Sequence, residues 1–521
     1  MLKYNIIPKP QHYQTFDGSY TVSSGTQVLC VPEFVAVTDM LTTYLKTKPV
    51  PNEGTIHIKK AGGMEPESYT LKVSPEDIMI TASDCKGAFY GVVTLKMILM
   101  QSKKKDGKAI VNALYIEDKP EYGYRGVQMD ESRHFFGIDT VKKVLDNMAM
   151  LKLNTLHWHL SDDQGFRIES KKFPLLNEIG SRRKYAGLKG CGMENRGEEY
   201  FHYYTQEQIS EIVAYAQKLQ INIIPEIDVP GHTLAILAGY PELSCEGKPV
   251  EVFCQNGITK EILCAGNEEV YTFLDALFAE LCPLFPGKYF HIGGDEAADG
   301  HKIWKQCPKC QKVMQDKGIT NPIQLQGYFM SRVNEILKKY NKTTVAWNDC
   351  IDDSFDTSIV CQYWWGMPAN AKTSKKQAYK RDFILSPTQN FYFDIKNATV
   401  SLKKAYNFSQ KACGFGKPGQ RVIGIECEHW SEWLDDEEAL FFAMFPRVAA
   451  FAEAAWTAPA NRKYKDFLQR LEWYKLYLKG QGIHYSRVTG KMLSARQKQH
   501  FLMGKDGNEF KRSEELRLLE K

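Results

Sequence analysis

The sequence predicts an α/β protein, a (β/α)8 TIM barrel preceded by a small α+β domain. Three observations lead there. From Gly126 a pattern of strand, loop and helix repeats until eight strand candidates have passed. Several of these strands are continuously apolar, as parallel strands covered on both faces are. No phosphate-binding glycine-rich turn follows the first of them, although an open doubly wound sheet would need one.

Residues 1–118 read as the N-terminal unit. "SYTLKV" and "DIMITA" alternate like strands, "CKGAFYGVVTLKMILMQ" has the spacing of an amphipathic helix, and "KDGKA" makes a turn. The barrel domain spans 119–460. Its strands are read at "GVQMD", "NTLHWHLSDD", "INIIPEIDV", "KYFHIGGDE", "TTVAWND", "SIVCQYWWG", "DFILS" and "RVIGIECEHW". Helical patterns such as "DTVKKVLDNMAMLKL", "TQEQISEIVAYAQKL" and "IQLQGYFMSRVNEILKKY" lie between them. Long loops around 180–204 and 233–262 follow the second and third strands. That places them on the carboxyl face, where barrel active sites are built. Residues 461–521 hold one further helix, "KYKDFLQRLEWYKLYLKG", and a charged tail.

Bulk composition removes several function classes. A net charge of +5 from 67 basic and 62 acidic residues is mild, and no basic block points to nucleic acid. The run Lys103-Lys104-Lys105 reads as a solvated loop. No apolar stretch has transmembrane length, so no membrane span is expected. The start "MLKYNIIPKPQHY" has no signal-peptide core. The expectation is a periplasmic or secreted protein if a signal was trimmed, and a cytoplasmic one if Met1 is native. Thirteen scattered cysteines form no disulfide framework. "CPKC", at Cys307 and Cys310, has the form of half a zinc site or of a local disulfide. Four ligands are required, and no second CxxC or His pair has matching spacing, so the pair reads as part of a helix-side loop.

Polar and aromatic residues collect at the strand ends. Strand one brings Arg125 and Asp130, and strand two brings Asp162 and Asp163. Strand three gives Glu226, Asp228 and His232, and strand four gives Asp295 and Glu296. The later strands bring Trp347 with Asp349, Trp364 with Trp365, Tyr392 with Asp394, and Trp430 with Glu432. Carboxylates between flat rings suit a pyranose, whose C–H face stacks while its hydroxyls bond charged groups. Glycoside cleavage is the leading class. Against this, a barrel Trp is more often core than ligand wall, and Arg125 has Asp130 as a ready partner. "HWH" (His157, His159) matches the HxH of metal-dependent barrel hydrolases, but such sites need further ligands at other strand ends, so the pair reads as mainly structural.

The motifs "RGVQMDESRHF", "HWHLSDDQGFRIE", "PEIDVPGH", "HIGGDE", "CQYWWG" and "HWSEW" together resemble those of β-N-acetylhexosaminidases of glycoside hydrolase family 20. The resemblance runs from the N-terminal domain to about residue 460. It implies a retaining exo-hydrolase that removes terminal β-linked N-acetylglucosamine or N-acetylgalactosamine from glycans, with no cofactor and no metal. This family is an exception to the two-carboxylate retaining mechanism, because the substrate's own acetamide attacks. By similarity Glu296 is the general acid and base, Asp295 orients the acetamide, and Tyr392 hydrogen-bonds its oxygen. Arg125 would bind the 3- and 4-hydroxyls. Trp347, Trp364 and Trp430 would enclose the acetamide methyl and the ring, and Asp394 and Glu432 would take the outer hydroxyls. Asp162 and His232 would support the acid, with the choice between Asp162 and Asp163 left open. Two adjacent acids should raise the pKa of one of them, which suits Glu296. "ECEHWSE" and Trp365 depart from the family pattern and bear on fine specificity. A sugar-binding protein without catalysis, a metallohydrolase and an ordinary two-carboxylate glycosidase are the competing readings. The sequence does not fix the oligomeric state.

Overall fold

The structure, a computed structural model, describes residues 4–487 apart from 24–25, 47–55, 190–198, 353–354, 365–367, 396 and 398. The charged tail from 488 and Trp365 lie outside the described residues.

The barrel closes. Strand one (Tyr124–Asp130), two (Thr155–His159), three (Asn222–Glu226), four (Tyr289–His291), five (Thr343–Trp347), six (Val360–Tyr363), seven (Phe383–Leu385) and eight (Val422–Cys427) follow in order, and the eighth pairs with the first. Every pairing is parallel. Seven lie within the predicted runs because each run is apolar where strand and helix layers meet, and the first begins at Tyr124, two residues before the predicted "GVQMD". A second boundary also differs. "NTLHWHLSDD" does not continue as a single strand: it stops at His159, and Ser161–Asp162 folds back on Gly165–Phe166 as a small hairpin. Asp163 and Gln164 make the turn, beyond the rim where ladder partners end.

Local signals set the surrounding helices. Gln206–Lys218 opens with a capping box from Thr205 and Gln208. Pro322–Lys339 opens with Asn321 as cap and proline in its first turn. Ile138–Met150 turns Val141, Val144, Leu145 and Met148 to the core, the expected i, i+3, i+4 stripe.

The N-terminal unit is a mixed sheet in the order His12–Val22, Lys108–Asp118, Tyr69–Val73, Ile78–Ala82, Ile56–Lys60, Val28–Cys30. Lys103–Lys105 is a short edge strand on Lys108–Asp118, fully exposed, rather than a loop. Charged edge strands of this kind resist pairing with other chains. The helix Cys85–Gln101 has no exposed residue. The sheet covers one face, and the amino end of the barrel takes the other through Tyr90, whose ring packs edge-on to Trp456 at 5.0 Å. The spacing that reads as amphipathic is therefore a helix buried on two sides.

A buried polar network joins the two units. Lys152 Nζ lies 2.9 Å from Asp118 Oδ2 and donates to Tyr69 Oη at 2.8 Å, while Trp456 Nε1 donates to Asp118 Oδ1 at 2.8 Å. The helix Tyr464–Gly480 is held by Arg470, whose guanidinium takes both Glu453 oxygens at 2.6 Å and the carbonyl of Ile6 at 2.8 Å. Among the described residues no single helix is long and apolar enough to cross a membrane.

Candidate active site

Strand four stops at His291, and the chain crosses the rim through Ile292, Gly293 and Gly294. Gly293 (φ 61°) and Gly294 (φ 92°) are left-handed. A Cβ on Gly293 would sit 1.7 Å from Asp228 Oδ1, so only glycine fits, and the same oxygen accepts the amide of Gly294 at 3.0 Å. Glu296 is itself left-handed (φ 52°), a conformation that costs a non-glycine residue about 1–3 kcal/mol. Asp349 holds it there, with Oδ2 accepting the Glu296 amide at 3.2 Å. This reversal brings two neighbouring carboxyls onto one side. His232 Nε2 lies 3.8 Å from Asp295 Oδ2 and 3.5 Å from Glu296 Oε2. Asp295 is the deeper acid, with a side chain 12% exposed against 33% for Glu296.

Behind them, His232 Nδ1 faces Asp162 Oδ1 at 3.1 Å. Asp162 Oδ2 takes His159 Nε2 at 3.0 Å and Arg133 at 2.7 Å. Asp163 Oδ2 lies farther from His232 Nδ1, at 3.8 Å, and its oxygens accept the amides of Leu234 and Thr259 and pin the loop after strand three. Of the two acids left open by the sequence, Asp162 is the one that reaches the centre.

The electrostatics follow from burial and neighbours. Burial opposes charge on His232, but Asp162 and Asp295 outweigh it and hold the imidazole protonated, well above its usual range. Burial pushes Asp295 up to about 6, assisted by Glu296, so the raised acid is Asp295. Burial also raises Asp349 to about 7 and Asp394 to about 8, with Glu432 adding to the latter. Burial keeps the Tyr392 phenol neutral.

Four rings wall the pocket. Trp364 and Tyr392 stack at 5.9 Å and 20°, Tyr392 lies 6.4 Å from Trp430, and Trp430 lies 5.9 Å from Trp347. The indoles are fixed by carboxylates: Trp347 Nε1 donates to Glu226 Oε1 at 3.0 Å and Trp364 Nε1 to Asp349 Oδ1 at 2.6 Å. Glu226 is the barrel's inner hub, also bonded by His159, by His157 at 3.1 Å and by His291 at 2.8 Å. The HxH pair thus serves buried carboxylates. The buried acceptors without a hydrogen-bond partner among the described residues include Asp295 Oδ1 and Asp394 Oδ1. A buried acceptor left unbonded costs free energy, and such atoms mark where a ligand donor fits.

Asp295, Glu296, His232, Asp162, Trp347, Trp364, Tyr392 and Trp430 are therefore brought together. Asp394 and Glu432 join them at the rim, Glu432 Oε1 lying 3.7 Å from Arg133. Arg125 is not brought there. It opens strand one, at the barrel's amino end, where it bonds Tyr90 Oη at 2.7 Å, the carbonyls of Tyr122 and Lys152, and Glu67 at 2.8 Å. Nor does it pair with Asp130; that partner belongs to Arg133, at 3.1 Å. Five strand residues, Gly126–Asp130, still lie between Arg125 and the carboxyl rim, so its side chain cannot reach that face. Arg133, on the loop just past the strand, sits 5.1 Å over the Trp430 ring and is the cation the sequence reading missed. Its place after Asp130 in "DESRHF" was the available signal.

The model of the glycosyl hydrolase family 20 catalytic domain matches residues 122–459, and that of the family's domain 2 matches 3–119. A β-hexosaminidase of Porphyromonas gingivalis is 33% identical over 92% of the chain, which spans 64% of that relative's length. The structure of an exo β-N-acetylglucosaminidase from Vibrio harveyi in complex with N-acetylglucosamine superposes with a TM-score of 0.82 at 30% identity. It covers 93% of this chain and 78% of that one. The Streptomyces plicatus N-acetyl-β-hexosaminidase in complex with Thio-NAglucal gives 0.80 at 31% identity, covering 93% and 96%. With its catalytic domain and domain 2 both matched, the chain belongs to glycosyl hydrolase family 20.

Proposed function

We propose that the chain is an exo-acting, retaining β-N-acetylhexosaminidase that removes terminal β-linked GlcNAc or GalNAc by substrate-assisted catalysis. The observation that carries this reading is the unpartnered Asp295 Oδ1, buried beside the four-ring wall and next to Glu296. An acetamide supplies what that place lacks: an N–H for Asp295 and a methyl for the Trp347, Trp364 and Trp430 rings. The wall supports an acetamide over a bare hydroxyl, because a hydroxyl would leave the rings without an apolar partner.

Glu296, the more exposed acid, faces outward to the glycosidic oxygen. It donates its proton as the C1–O bond breaks, and the leaving alcohol departs neutral. The acetamide oxygen, held by the Tyr392 hydroxyl, bonds to C1 from the opposite face. The resulting oxazolinium carries positive charge shared between nitrogen and carbon, which the Asp295 carboxylate balances. Water deprotonated by Glu296 then opens the ring at C1, and two inversions give net retention. Asp349 does not suit the role of enzymic nucleophile, since one oxygen holds the Glu296 amide and the other the Trp364 indole. Arg133 and Glu432, with Asp394, stand where the far hydroxyls of a single terminal sugar would lie; Arg133 takes the part first expected of Arg125.

The test compares p-nitrophenyl β-N-acetylglucosaminide with p-nitrophenyl β-glucoside. Cleavage of the first alone is expected. Equal cleavage of both would overturn acetamide participation.

A further inference from the structure

Away from the catalytic pocket, four cysteine sulfurs converge. Cys264 Sγ lies 3.7 Å from the sulfurs of both Cys307 and Cys310, and Cys245 Sγ lies 3.8 Å from Cys310. All four sulfurs fall within 4.8 Å of one another. A disulfide needs sulfurs at about 2.05 Å and selects pairs, whereas here Cys264 and Cys310 each have two sulfur neighbours. Sulfurs arranged tetrahedrally at about 2.3 Å from one zinc ion stand about 3.8 Å apart, which is the spacing observed.

The backbone is built to hold this arrangement. Cys307 caps the helix Pro308–Lys317 and Cys310 lies in its first turn, so "CPKC" presents two sulfurs at a helix amino end, where negative charge is favoured. Cys245 and Cys264 come from the loop after strand three. A bridge between Ser244 and Leu263 and the bond from the Cys264 amide to the Leu243 carbonyl, 2.9 Å, set them side by side. The two halves meet because Gly266 has no side chain: a Cβ there would come within 2.2–2.5 Å of the Lys309–Cys310 backbone. Trp304 Nε1, donating to the Leu263 carbonyl at 3.0 Å, fastens the same contact. Cys264, Cys307 and Cys310 are buried and Cys245 is half-buried.

We propose that Cys245, Cys264, Cys307 and Cys310 bind one Zn2+ as a closed structural tetrathiolate site. Binding takes four thiols to thiolates, releases four protons and changes no oxidation state. Four protein ligands leave no position for water, so the ion stabilises rather than catalyses. It clamps the loop after strand three, which carries His232, to the segment after strand four, one short helix beyond Glu296.

The experiment uses the full chain, expressed with zinc and iron supplied together and purified in reductant without chelator. Metal is counted by mass spectrometry after gel filtration, and zinc release on adding a mercurial is followed with a chromogenic chelator. One zinc per chain is expected, released by the mercurial, with a lower Tm afterwards. Cys264→Ser and the half-buried Cys245→Ser should lose the zinc, while Cys85→Ser, outside the cluster, should keep it. The wild-type stoichiometry decides even if a variant fails to fold. Iron in place of zinc, substoichiometric metal, or a chain lighter by four hydrogens from two disulfides would each overturn the proposal.

Discussion

Asp162 and Glu296 face one imidazole from opposite sides: His232 Nδ1 is 3.1 Å from Asp162 and Nε2 is 3.5 Å from Glu296. The proposed general acid is thus tied through a cation to a buried carboxylate on another strand. Asp162→Asn removes the group that most raises the His232 pKa. The expected result is a kcat about 10²-fold lower with little change in KM, since binding groups stay in place while the acid loses its support. Because the His232 pKa falls, the alkaline limb of the pH–kcat profile should move to lower pH. A stability change with an unmoved profile would reduce Asp162 to a packing role.

Asp295 is held at about 6 mainly by burial. It must be ionised to balance an oxazolinium, so kcat/KM should rise as pH increases through about 6. Its folded pKa lies above the usual 3.8, so its contribution to stability is greatest at acid pH and is lost as pH rises through 6. Asp295→Asn should therefore cut kcat by about 10²–10³-fold while raising stability at pH 7 by up to roughly 3 kcal/mol. Parallel rate and denaturation measurements check both signs.

Arg125 and Arg133 separate structure from binding. Arg125→Met strips the bonds to Tyr90 and Glu67 that join the domains, and is expected to cost about 3 kcal/mol in denaturant unfolding with KM unchanged. Arg133→Lys cannot reproduce the fork between Asp130 and Asp162, and should lower kcat/KM about 10–100-fold with a much smaller loss of stability.

The barrel was legible because apolar runs and helical spacing alternate without interruption from Gly126, and each signal is local. The proposed pair of acids was legible as a candidate because two glycines and two acids sit together in "HIGGDE". What did not show was which end of a strand a side chain serves. Arg125 lies near the start of one strand and Arg133 just past its end, and only the position of its rim tells them apart. "SDD" hid a hairpin because two acids in sequence carry no register. Only half of the cysteine cluster showed, as "CPKC", for the opposite reason: Cys245 and Cys264 are distant from it in the chain, and only the close approach at Gly266 carries them to it. The exposed strand His12–Val22 also escaped, since its partner, Lys108–Asp118, lies at the other end of the domain.

The central claim is that the substrate's acetamide oxygen, not an enzyme carboxylate, attacks C1. The most direct measurement is kcat/KM for a series of p-nitrophenyl β-glucosaminides bearing acetyl, fluoroacetyl, difluoroacetyl and trifluoroacetyl groups. Each fluorine weakens the carbonyl oxygen as a nucleophile while changing its size little. The account predicts a steep, monotonic fall across the series. A flat series would contradict it and return the nucleophile to the protein.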